Sequence, residues 1–220
     1  MHNELSSILL PSYGPCPEFK GACTKMRWEP HAGHVPRGFC GATGDPEEVE
    51  LILVFAEPGT PPREEKHTGI ESVITYTFKC FEEGKDTFHN NVRKILDLCF
   101  PDCLDNFDAQ MRRVWIMDSV LCSAKKSGGY VPVSVSDACI KRYLIKIIEL
   151  FPNAKVIGLG KKTSRRLDRH DIKFYPACAA TQPWYNTHKA EAEESWKNLA
   201  DLVKSGNPAK FLNCDRAKRA

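Results

Sequence analysis

No stretch of about 18 consecutive apolar residues occurs in the chain, which leaves no candidate for a membrane-spanning helix. The opening Met1-His2-Asn3-Glu4 lacks the basic and apolar regions of a secretory leader. The expectation is therefore an intracellular protein, cytoplasmic in a prokaryote or nuclear in a eukaryote. An excess of one charge sign is missing too: 31 Lys and Arg face 28 Asp and Glu, a formal +3, which permits nucleic-acid binding without arguing for it. There is no internal repeat. With 42% hydrophobic and 27% charged residues spread over 220 positions, wholesale disorder and coiled coil are excluded, and the length suits one soluble domain with a substantial core, expected as a monomer.

What the sequence has in quantity is cysteine, ten in all. In a reducing compartment a disulfide framework is not expected in a chain of this length, so buried free thiols and metal ligands are the two readings.

Residues 1–46 contain three cysteines among many prolines and glycines, with no sustained period. They read as an irregular segment packed on the main domain. From 47 to 204 short apolar runs alternate with helical stripes. Val49 to Phe55 (VELILVF), followed by Pro58-Gly59, predicts a central strand. Phe88, Val92, Ile95, Leu96 and Cys99 predict a helix stopped by Pro101. A second strand is expected at 114–117 (VWIM), then a helix capped by Ser136 with the stripe Ile140, Tyr143, Leu144, Ile147 and Ile148. A third strand (155–159), a short helix from Lys161 to Leu167, a fourth strand at 172–175 and a helix over about 189–203 complete the pattern. The tail 205–220 is basic and expected to fray.

Such alternation predicts an α/β protein, three-layered α/β/α around a central, mostly parallel four-stranded sheet. In that architecture ligands bind beyond the carboxyl ends of the strands, where FAEPG (55–59), Asp118 and the basic turn Gly160 to Arg166 fall.

Three stretches in order resemble the uracil-DNA glycosylase superfamily, closest to its iron-sulfur branch. FAEPG ends a strand as the family's GEAPG, GINPG or GQDPY does. Residues 114–167 are similar to the branch's stretch from VYITN through a cysteine pair to VALG. YPACAATQPWYNTHKAEAEESWKNL (175–199) stands where the family has a His-Pro-Ser loop and a helix. The resemblance implies a monofunctional DNA glycosylase that flips a deaminated or damaged base, uracil or a relative, out of DNA and hydrolyses its N-glycosidic bond in base excision repair.

Hydrolysis builds positive charge on the sugar and negative charge on the leaving base. Glu57 stands at the motif position where a carboxylate or amide orients water; the iron-sulfur branch carries its acid one residue earlier, where this chain has Ala56. The bland reading of Glu57 is a solvated loop carboxylate. Asp118 takes the place of an asparagine that reads the flipped base. An ionised Asp only accepts hydrogen bonds, so a base bearing an amino group is favoured unless burial protonates it; the plain alternative is a turn or capping aspartate. Phe88 is the candidate for stacking on the base, or else plain core. The His-Pro-Ser histidine has no aligned counterpart, and Gln182 and His188 are the candidate replacement donors.

DNA phosphates would meet Lys161, Lys162, Ser164, Arg165 and Arg166 at a helix start, with Arg63 and Lys66 as further backbone contacts; the alternative is a solvated helix face. Trp184 and Tyr185 are candidates for the wedge that fills the gap in the duplex. Cys16, Cys23, Cys122 and Cys139 fall near the branch's ligand positions, although Cys16 and Cys23 are more widely spaced than the family's first pair. A structural 4Fe-4S cluster, zinc, and buried free thiols all stay open. The remaining six cysteines, Cys40, Cys80, Cys99, Cys103, Cys178 and Cys214, read as packing. The missing histidine keeps a second reading alive, a catalytically weak or inactive DNA-lesion-binding protein of the same fold, and a small-molecule hydrolase or transferase is a third.

Overall fold

The computed structural model describes residues 3–104, 106–126, 128–182 and 184–205. In chain order the elements are α1 (Asn3–Leu9), β1 (Cys40–Gly41), β2 (Leu51–Phe55), α2 (Ile70–Glu82), α3 (Thr87–Cys99), α4 (Phe107–Arg112), β3 (Val114–Asp118), α5 (Val133–Cys139), a π-helical turn (Ile140–Leu144) running into α6 (Ile145–Leu150), β4 (Lys155–Leu159), α7 (Lys161–Asp168), β5 (Tyr175–Ala177), α8 (Trp184–Thr187) and α9 (Lys189–Ser205), with short 3-10 turns between.

The sheet order is β1-β3-β2-β4-β5, parallel except for β1. Every residue of β2 is buried because helices cover both faces, and the pleat sends alternate side chains to opposite sides. Ile52 and Val54 join Leu5 and Leu9 of α1 with Ile140, Tyr143 and Ile147. Leu51, Leu53 and Phe55 join Val92, Ile95 and Leu96 of α3 with Trp196 and Leu199 of α9. The α/β/α layering is thus as the alternation predicts.

Several details differ from the sequence reading. The sheet has five strands, because Cys40–Gly41 pairs antiparallel with β3; two residues carry no readable periodicity. Residues 1–46 also contribute α1 and core side chains. Ser136 does not cap its helix, which starts at Val133; its hydroxyl instead donates to Val133 O at 2.9 Å from inside the first turns. The last strand lies at Tyr175–Ala177, three residues beyond its expected start. Residues 206–220, most of the basic tail and with it Cys214, lie outside the described residues. Cys178 is disulfide-bonded, whereas the sequence reading takes it as a packing thiol.

From central β2 the chain moves to β3 on one side, then crosses back to β4 on the other. The loops after β2 and β4 therefore diverge at the carboxyl end of the sheet and leave a crevice between them.

Candidate functional site at the strand ends

That crevice holds a cavity of about 690 Å³, bounded by the loops after β2, β3 and β4, the helices α2 and α3, and the 179–184 loop. Ala56, Glu57, Phe88, Asp118, Lys161, Lys162, Gln182 and Trp184 all line it. Residues from five separate parts of the chain are so brought to one place.

Glu57 is not a solvated carboxylate: its side chain is only 7% exposed. One oxygen accepts from Arg166 Nη2 at 2.7 Å, and the other pairs with Lys162 Nζ. Arg166 is itself buried and also donates to Ala56 O (2.6 Å) and Ser119 Oγ (2.9 Å). It ties α7 to the ends of β2 and β3 across the crevice. This corrects its assignment to DNA phosphates: a guanidinium 4% exposed that donates to three oxygens within the site holds Glu57 and the strand ends instead. Ser164 turns its hydroxyl to Gly160 O at 3.2 Å, while Lys161, Lys162 and Arg165 are exposed on the first turns of α7. Arg63 and Lys66 are exposed outside the cavity lining, and Lys66 donates to His31 O at 2.6 Å.

Asp118 ends β3 opposite Phe55 of β2. Burial first, and then the charge of Glu57, raise its carboxyl well above the ordinary range, against the lowering pull of Arg37 and Arg166. Phe88 meets Phe55 edge-on, centroids 5.0 Å apart, and presents part of its ring to the cavity.

The donors proposed in place of the absent histidine fare differently. Gln182 lines the cavity, but its amide nitrogen is bonded to Thr87 Oγ1 (3.1 Å) and Asn186 Oδ1 (3.4 Å). His188 sits behind Trp184, the rings stacked at 4.6 Å and 3°, outside the lining. Tyr185 is 6% exposed, stacked on Trp196 at 5.5 Å, and donates to Glu193 at 3.1 Å; packed this way it cannot be a wedge.

Other groups at this cavity were not read from the sequence. His89 lines it, one residue after Phe88, with Nδ1 2.8 Å from Asp86 Oδ1. Asp86 also caps α3 by accepting from the His89 backbone N–H at 3.0 Å, so an N-cap spacing doubles as an Asp–His pair. Burial chiefly, helped by Lys85 and opposed by Asp86, holds the imidazole below its ordinary range. Arg37 reaches the cavity from residues 1–46 and is held by Glu65, Ser123 and Gly59. At the mouth Gly128 lines the cavity and Tyr130, two residues on, is 80% exposed. The Gly128-Gly129-Tyr130 run was the available signal for that loop.

On the opposite face of the sheet Cys16, Cys23, Cys122 and Cys139, all buried, line one small cavity with Tyr143. Cys16 Sγ is 3.1 Å from Tyr143 Oη, and the Leu121 N–H donates to Cys139 Sγ at 3.4 Å. Burial and the neighbouring thiols push Cys23 and Cys139 up to about 12, a Leu121 hydrogen bond partly offsetting this for Cys139. Among the described residues no group of three or more His, Cys, Asp or Glu is arranged to hold a metal ion, and no helix is long and apolar enough to cross a membrane.

No known family model matches the chain, and a search of curated proteins returns no match.

Proposed function

We propose that the chain is a monofunctional DNA glycosylase, which extrudes a deaminated or damaged base from DNA and hydrolyses its N-glycosidic bond. The observation that carries this reading is the convergence of Glu57, Asp118 and Phe88 on one cavity at the crevice of the sheet. Phe88 offers the stacking face, Asp118 the base-edge contact, and Glu57, fixed by Arg166 and Lys162, a carboxylate that orients water and faces the positive charge growing on the sugar. Lys161 and Arg165, with Lys125 and Lys126 on the chain just before Gly128, are exposed cations suited to phosphates. Exposed Tyr130 takes the wedge role that Tyr185 cannot fill.

The four cysteines supply sulfur donors from residues 1–46, the strand-end loop and α5. Zinc would draw four sulfurs to within about 3.8 Å of one another, as Zn–S bonds of about 2.3 Å require. A 4Fe-4S cluster gives each thiolate its own iron and spaces them farther apart. All four sulfur donors line one common cavity, where either group would be held. When bound, the cluster would anchor residues 1–46 to the domain, away from the chemistry.

The test is excision from end-labelled oligonucleotides carrying uracil, hypoxanthine, xanthine or a modified cytosine, single- and double-stranded, with Glu57→Gln as control. Alkali-labile product that vanishes in the variant supports the reading. Tight DNA binding without product from any substrate moves it to the lesion-binding alternative, which the engaged Gln182 amide and the position of His188 favour.

A further inference from the structure

Resting on the glycosylase reading and deepening it, we propose that Asp118 meets the extruded base as a neutral carboxylic acid, one oxygen donating and the other accepting, so that the site takes a base edge with a carbonyl beside a ring N–H. Uracil and hypoxanthine present that edge; cytosine presents an amino group beside an unprotonated nitrogen.

Asp118 is 7% exposed, and that exposure is to the cavity. It has no side-chain hydrogen bond to any described residue, while each cation near it is committed elsewhere. Arg37 donates to Ser123 Oγ and Gly59 O and faces Glu65. Arg166 donates to Ala56 O, Ser119 Oγ and Glu57. Glu57 approaches from the loop after β2 as a like charge. From the segment before β1, Gly38 closes the remaining side: a Cβ there would stand 2.2 Å from Asp118 Oδ2. A carboxylate in such a place would keep two oxygens desolvated without a donor for either, and a proton removes that cost.

The neutral acid can present to the base the same pair that an asparagine amide would, one donor beside one acceptor. Its O–H meets the base carbonyl and its second oxygen accepts the ring N–H. Ionised, it accepts twice, repels the carbonyl and suits an amino group instead. Base choice thereby becomes a function of pH.

Single-turnover excision of uracil and of cytosine from matched single-stranded oligonucleotides, from pH 6 to pH 9, tests this with wild type and Asp118→Asn. Once pH passes the titration of Asp118, the wild-type uracil-to-cytosine ratio should fall by about tenfold for each further unit, as each removes about nine-tenths of the acid form. The asparagine variant, whatever its absolute rate, should show a flat ratio. A wild-type ratio that favours cytosine at pH 6, or the same fall in the variant, overturns the proposal. An infrared difference spectrum of wild type minus Asp118→Asn at pH 6 separates the two layers. A protonated-acid carbonyl band is expected; carboxylate bands alone overturn the inference and leave the glycosylase reading standing. The acid band with no excision of any base overturns the glycosylase reading, and the base-reading role with it.

Discussion

Replacing Arg166 by methionine should test whether one buried guanidinium holds the site together. The substitution keeps the length and apolar volume of the stem and removes the charge. Ala56 O retains other donors, the Val120 N–H at 3.1 Å and the Ser119 hydroxyl at 2.8 Å, so it is not left orphaned. Glu57 is the partner that loses most: its side chain is 7% exposed, and it would keep only Lys162, which is 42% exposed. Breaking a buried ion pair by removing one member typically costs about 3–5 kcal/mol, and the surviving lysine puts the expectation at the lower end, about 3 kcal/mol. For a chain of this length that corresponds to a fall in Tm of roughly 6–12 °C.

Urea unfolding of wild type, Arg166→Met, Glu57→Gln and the double variant forms the cycle that isolates the pair. The double variant should lose less than the sum of the singles by at least about 1 kcal/mol, because the second change removes the charge stranded by the first. A single-variant loss under about 1 kcal/mol, or additivity of the two, would refute the view that this pair is a buried clamp.

Further outcomes follow from the same geometry. Gly38→Ala should destabilise by about 1–3 kcal/mol and slow excision, since Gly38 has φ +82° and its Cβ would strike the Asp118 carboxyl; a neutral result in urea would remove Gly38 as the wall of that pocket. Burial is the chief cause lowering His34 and His89 below the ordinary 6.5, so the unfolded chain takes up protons first as pH falls. Stability from these groups is present above about pH 6.5 and lost on acidification, and a urea midpoint unchanged between pH 7 and 5.5 would contradict it. Asp118, raised above 3.8, has the opposite sign: its contribution is present below that pH and lost as pH rises, so Asp118→Asn should gain on wild type with increasing pH, which parallel urea titrations would show. Tyr130→Ala should reduce excision from duplex more than from single strands, by about tenfold if the ring fills the gap left by the base; equal losses on both would dismiss the wedge. Anaerobically purified protein should be brown with bound iron and sulfide and lose both in Cys122→Ala or Cys139→Ala, whereas colourless, iron-free wild type would leave the four cysteines as packing.

The layer order of this fold was open to reading because each central strand is a nearly continuous apolar run, and only burial on both faces calls for that composition. The helices α3 and α9 declared themselves by spacing, Val92, Ile95 and Leu96 on one, Trp196, Leu199 and Ala200 on the other. What escaped was structure set by tertiary contact. The pairing of Cys40–Gly41 with β3 depends on a partner some 70 residues away, and no local pattern encodes it. Arg37 likewise comes from a turn-rich segment with no period, yet reaches the cavity because β1 delivers the chain to the sheet edge.

The candidate site was legible in position and illegible in commitment. Strand-end logic located Glu57, Asp118 and the turn before α7 without knowledge of which groups touch. It placed Arg166 among the phosphate ligands because four cations in seven residues look alike in sequence. Helical geometry then separates them: residues four apart share a face, and Arg166, four beyond Lys162, reaches with it to the same carboxylate, Lys162 from the solvent side and Arg166 from beneath. Lys161 and Arg165 occupy the adjoining exposed face. The division of that basic turn into a pair that fixes the carboxylate and a pair on the adjoining exposed face is therefore a consequence of helical period, and it becomes readable once Glu57 is known to lie across the crevice.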